Sequence, residues 1–134
     1  MLTAVVTLGI GLLIETTVSG TPGPELGQAA PVVIFLGLTL FSPIVETVLM
    51  AAIMALLLKW LRPWQAVVLS AVGWGLAHSS LAPWWGAVIW WPFLIFSILF
   101  VTWRRHGFWR AAAVPTAVHI LQNLVPAIVI ALGH

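Results

Sequence analysis

Four residues carry most of the chemistry that this chain can offer: Glu46, His78, His119 and Asn123. Glu46 is the one ionisable residue in an apolar run from Pro31 to Leu58. A carboxylate in the middle of a membrane-length run costs roughly 3 kcal/mol on insertion scales. It is kept where it faces a protein interior or a water-filled cavity, finds donors, or takes up a proton. His119 and Asn123 stand at i and i+4, so they share one helix face.

A carboxylate and an imidazole around one water are the parts of a general-base hydrolase. The carboxylate accepts a proton from the water, and the imidazole positions the water or later protonates a leaving amine. A second histidine and an asparagine supply donors where charge develops on a carbonyl oxygen, each worth roughly 3–4 kcal/mol in hydrolases. The inventory suits cleavage of a peptide bond by activated water. The chain has no Asp, so no Ser–His–Asp set is apparent. A serine relay through Ser42, Ser70, Ser79, Ser80 or Ser97 stays open, although none has a telling context. Two histidines and one glutamate (Glu46, His78, His119) are also a catalytic zinc set. The H-E-x-x-H helix motif of zinc proteases is absent, and the metal-free reading is favoured.

Composition sets the elements that must position these groups. Of 134 residues, 62% are hydrophobic and 6% charged, whereas about a quarter of residues are charged in soluble domains. The expectation is an all-α polytopic transmembrane helical bundle forming a single domain over 1–134, with no internal repeat. The acids are Glu15, Glu25 and Glu46, and the bases are Lys59, Arg62, Arg104, Arg105 and Arg110. The basic balance therefore reflects scarce charge rather than a nucleic-acid face, and nucleic acid is not an expected partner. Without cysteine there are no disulfides, thiolate ligands or Cys nucleophile.

About five membrane segments are predicted, from the roughly 20 apolar residues that a spanning helix needs. They are Leu2–Val18, Pro31–Leu58, Pro63–Leu81, Gly86–Thr102 and Ala111–Leu132. Met1–Gly20 lacks the charged start and cleavage site of a signal peptide and reads as a retained segment. Ser19–Ala30, rich in Gly and Pro, reads as a loop. Pro43, three residues before Glu46, removes a backbone hydrogen bond there. Segment three carries Ala66, Ser70, Ala71, Gly73, Gly75 and Ala77, small residues of the kind that let helices approach closely.

All five Lys and Arg fall in loops 59–62 and 103–110. By the positive-inside rule both loops are expected on the cytoplasmic side, in a bacterial or archaeal inner membrane. Trp60, Trp64, Trp103 and Trp109 would form one aromatic belt, with Trp84 and Trp85 in the other. Counting about 1.5 Å per residue from the basic loops puts Glu46 at ~20 Å, His78 at ~24 Å, His119 at ~14 Å and Asn123 at ~20 Å. Glu15 counts to ~21 Å and is a further candidate acid.

Each group also has a plain structural reading. The alternative to a catalytic role is Glu46 as a protonated interhelical hydrogen-bonding residue, His78 as an interfacial histidine, and His119 with Asn123 as packing glue. Trp90 and Trp91 read as lipid or core contacts, the arginines as topology signals, and His106 and His134 as solvated. Thr47 points about 100° from Glu46 on a helix and need not enter the cavity.

SPIVE at Ser42–Glu46, WGLAH at Trp74–His78 and HILQN at His119–Asn123 resemble, in order and spacing, the motifs of the CAAX protease and bacteriocin-processing (CPBP, ABI) family of intramembrane proteases. The resemblance covers about 31–126. It implies an endopeptidase acting on a membrane-associated, lipidated or small precursor peptide. Glu46 would be the water-activating glutamate, His78 its paired histidine, and His119 and Asn123 the oxyanion-side pair. A non-catalytic binding or immunity protein of that family is the alternative. The sequence departs from the pattern at Thr47 for a second Glu, Ala51 for an Arg and Trp74 for a Phe, and the chain is shorter than many members.

Overall fold

Proline and glycine set the ends and bends of the helices in a computed structural model that describes residues 30–133. The predicted segment Leu2–Val18, the loop before residue 30, Glu15, Glu25 and His134 lie outside the described residues. Helix α1, Pro31–Leu57, opens with Pro31 at its first turn, where no amide donor is needed. It has three parts: α-helical Pro31–Leu36, a π turn over Gly37–Phe41, and α-helical Ser42–Leu57. Helix α2, Pro63–Ser79, starts on another proline, and Gln65 Oε1 accepts the Arg62 N–H at 3.0 Å to close its first turn. Helix α3 is Trp85–Trp103 and continues into a 3₁₀ turn at Arg104–His106. Gly107 breaks it with a φ of 96°, open to glycine and strained for side-chain-bearing residues. Helix α4, Phe108–Gly133, follows at once. The expected loop 103–110 is therefore shorter, because Phe108–Arg110 already belong to α4.

Among the described residues, three helical stretches are long and apolar enough to cross a membrane: Pro31–Leu57, Trp85–His106 and Phe108–Ile130. Of the five expected segments, four fall within the described residues, and Pro63–Leu81 is the one that does not qualify. Helix α2 has 17 residues, or ~26 Å at 1.5 Å per residue, and stops short of a hydrocarbon core of about 30 Å. Serines at 79 and 80 end it: Ser80 Oγ bonds back to the Ala77 carbonyl at 2.6 Å.

One buried polar layer fixes the register. Ser97 Oγ on α3 donates to Ser70 Oγ on α2 at 2.9 Å and also lies 3.5 Å from Met50 Sδ on α1. Each of these residues stands about two turns from the end of its helix that bears the basic loops, so Lys59–Arg62 and Arg104–Arg110 share one end of the bundle. Around this layer, Met50, Ala51, Met54, Ala66, Val67, Phe93, Phe96, Phe100, Ala111 and Ala112 form the core. Large apolar residues face outward instead, including Ile44, Val45, Leu49, Ile53 and Leu56 on α1. That inversion suits a lipid surround, where small residues allow close backbone approach and apolar surface is not driven inward.

The tightest approach joins α2 and α3. A Cβ built on Gly86 would collide with the Gly75 carbonyl and Ser79 Oγ, and backbone cannot rotate away. Gly86→Ala is expected to destabilise the bundle by about 1–3 kcal/mol, the usual range for overpacking. Gly73→Ala, where nothing lies within 4 Å of the new methyl, should not. Chemical denaturation of both variants in detergent checks this, and equal midpoints would contradict it.

Candidate functional site

The buried face of Ser42–Leu57 is formed by Pro43, Thr47, Met50, Ala51 and Met54, spaced at helical intervals. Glu46 sits at the edge of that face, turned toward α2. Four residues earlier, on the same side, Ser42 donates its hydroxyl hydrogen to Glu46 Oε1. The other carboxylate oxygen, Oε2, faces His78 Nε2 at 3.9 Å. That is too long for a direct hydrogen bond and is a separation at which one water can reach both groups. Side-chain exposures of 13% for His78 and 24% for Glu46 leave the gap accessible.

His78 is oriented by its own helix. Its Nδ1 lies 2.9 Å from the Trp74 carbonyl, which can only accept. The proton of the neutral ring is therefore on Nδ1, and the Nε2 lone pair points at Glu46. Trp74 in turn stacks on Phe93 of α3, with centroids 4.3 Å apart and planes at 14°. The Phe93 ring contacts both imidazoles, at 5.9 Å from His78 and 5.7 Å from His119.

His119 is buried on α4 against Phe96, with centroids 4.7 Å apart. Its Nδ1 is 3.2 Å from Thr47 Oγ1. Thr47 is fully buried and does enter the site, contrary to the expectation from its helical angle. The reason is rotational: 47 lies at the centre of the inward face and 46 at its edge. Ala51, also expected to mark a lost family residue, is buried in the core, where a guanidinium would have no room. Asn123, expected beside His119 as a donor to a carbonyl oxygen, gives an amide hydrogen to the Leu38 carbonyl at 3.0 Å.

No protein-family model, curated protein or solved structure matches this chain. Of the four sequence candidates, Glu46 and His78 face each other directly. His119 joins them through Thr47, the neighbour of Glu46, and through Phe93. Asn123 touches the π turn that precedes Glu46. Among the described residues no three His, Cys, Asp or Glu side chains converge as a metal site; Glu46 and His78 are the pair that a metal could use.

Sequence reasoning named Ser42 only as one of five serines open to a relay and set Thr47 aside on its angle, so neither was placed in the cluster. Ser42 was signalled by its i, i+4 spacing to the acid. Thr47 was signalled by the spacing 43, 47, 50, 51 and 54 of small, polar or unbranched residues within a helix otherwise rich in Leu, Ile and Val.

Proposed function

We propose that this chain is an intramembrane endopeptidase of the glutamate type, with its basic loops on the cytoplasmic side. The observation that carries the reading is the opposition of Glu46 Oε2 and His78 Nε2 across 3.9 Å, with His78 held in one tautomer by Trp74. A water between them gives one hydrogen to Nε2 and the other to the carboxylate. Glu46 removes its proton as the water oxygen bonds to the peptide carbonyl carbon. With Thr47 as donor to Nδ1, His119 keeps its proton on Nε2 and stabilises the developing oxyanion. The tetrahedral intermediate collapses with cleavage of the C–N bond, and the proton held by Glu46 passes to the leaving nitrogen. The products are a carboxylic acid and an amine, and transfer of the acid's proton to the amine leaves a carboxylate and an ammonium group. The resemblance of Ser42–Glu46, Trp74–His78 and His119–Asn123 to the CPBP motifs supports the same reading and suggests a membrane-associated, lipidated or small precursor peptide as substrate.

A second reading is a membrane protein that binds a peptide without cutting it. It is favoured by the contacts of Thr47 with His119 and Asn123 with Leu38, which close two of the polar groups on the chain itself. The deciding experiment reconstitutes the purified chain in vesicles with a varied set of membrane-anchored peptides, a chelator, and water labelled with heavy oxygen. Cleavage with label in the new carboxylate is expected. Binding without products selects the second reading, and loss of cleavage restored by zinc assigns the water to a metal held by Glu46 and His78.

A further inference from the structure

The π turn at Gly37–Phe41, followed at once by a proline, leaves the Leu38 carbonyl without a backbone donor in its register. In this register the Ser42 N–H bonds to the Gly37 carbonyl, five residues back. The next donor in the same register would serve Leu38, and residue 43 is a proline without an N–H. An unpaired carbonyl at membrane depth is costly, because lipid offers it no donor. Asn123 Nδ2 occupies that acceptor from α4, across 85 residues of sequence and 3.0 Å of space.

We propose that Asn123 is a positioning residue: it latches the π turn of α1 and thereby sets where Ser42 and Glu46 begin the following helix. Helix α4 then grips α1 on both sides of the acid. Asn123 holds Leu38 before it, and His119, one turn away on the same face, meets Thr47 after it. The two contacts fix both the axial height and the rotation of the segment between them. Glu46 is carried to the α2 side of α1, where Ser42 braces one carboxylate oxygen and the other faces His78. The latch itself does not depend on peptide cleavage; only its consequence for cleavage rests on the proposed function.

The test compares the full chain with Asn123→Ala, Pro43→Ala and the double variant in vesicles. Amide hydrogen exchange is read over residues 37–46. Asn123→Ala is expected to speed exchange there about five-fold, the factor carried by one ordinary hydrogen bond. Pro43→Ala supplies the missing N–H, so in its presence the loss of Asn123 should change exchange less than about two-fold, a non-additivity that marks direct coupling. Unchanged exchange in Asn123→Ala, or additive effects in the double variant, overturns the latch. If Asn123→Ala does not fold, Asn123→Asp decides. Its carboxyl donates to Leu38 only when protonated, so the protection factor, taken relative to the intrinsic exchange rate at each pH, should rise at acidic pH and fall at alkaline pH; a protection factor that does not change with pH overturns the proposal. Where cleavage is observed, Asn123→Ala should lower kcat with KM unchanged, and Pro43→Ala should restore it. Cleavage that survives loss of the Glu46 carboxylate would remove the proposed function and leave the exchange result standing.

Discussion

If the proposed function holds, Glu46→Gln is expected to cut turnover further than any other single substitution while leaving the bundle folded. Gln keeps the size of the side chain and an oxygen to accept from Ser42, so the contact that orients the group survives. What it loses is the ability to take a proton from water. General-base catalysis by a positioned side chain is worth about a hundred- to ten-thousand-fold, and the loss should fall on kcat with KM nearly constant, because the carboxylate acts in the transition state rather than in peptide binding. The partial exposure of Glu46 makes the change mild for folding. Turnover of an anchored peptide and an unfolding midpoint, measured on the same preparation, check both halves. A variant that cuts at the wild-type rate removes Glu46 from the chemistry.

His78→Ala is the second large effect, also about a hundred- to ten-thousand-fold in kcat. It removes the one lone pair that faces Glu46 and frees the Trp74 carbonyl from its imidazole. Some stability is lost too, because the ring leaves its contacts with Trp74 and Phe93. Kinetic comparison with the double variant Glu46→Gln/His78→Ala separates shared from independent roles. Two groups that hold one water act as a unit, so the double variant should be little slower than the slower single one. Multiplying losses would mean that the two side chains serve different steps.

The legibility of this site from sequence differs residue by residue. Glu46 stood out because an acid in a long apolar helix needs an explanation, and its depth matched that of His78 within the error of helix counting. Thr47 was discounted on its angle from Glu46, a sound argument about two neighbours that says nothing about which of them faces inward. Asn123 was grouped with His119 correctly by face, yet its partner is a backbone carbonyl exposed by Pro43 on another helix. Proline in the sequence announced that a bond was missing, but not which carbonyl would be left or what would reach it.

Taken alone, the sequence determined the helical class, the helix starts marked by Pro31 and Pro63, and the collection of all basic residues in two stretches. These follow from local chemistry: a ring that fixes φ, and side chains that avoid an apolar solvent. Only the tertiary structure decided that three of the four segments predicted within the described residues are long enough to span, that a π turn precedes the acid, and that Thr47 meets His119. Those outcomes depend on how each helix is rotated about its own axis. In an apolar chain, hydrophobicity is nearly uniform around that axis, so rotation is chosen by small-residue contacts and by a few hydrogen bonds between residues far apart in sequence.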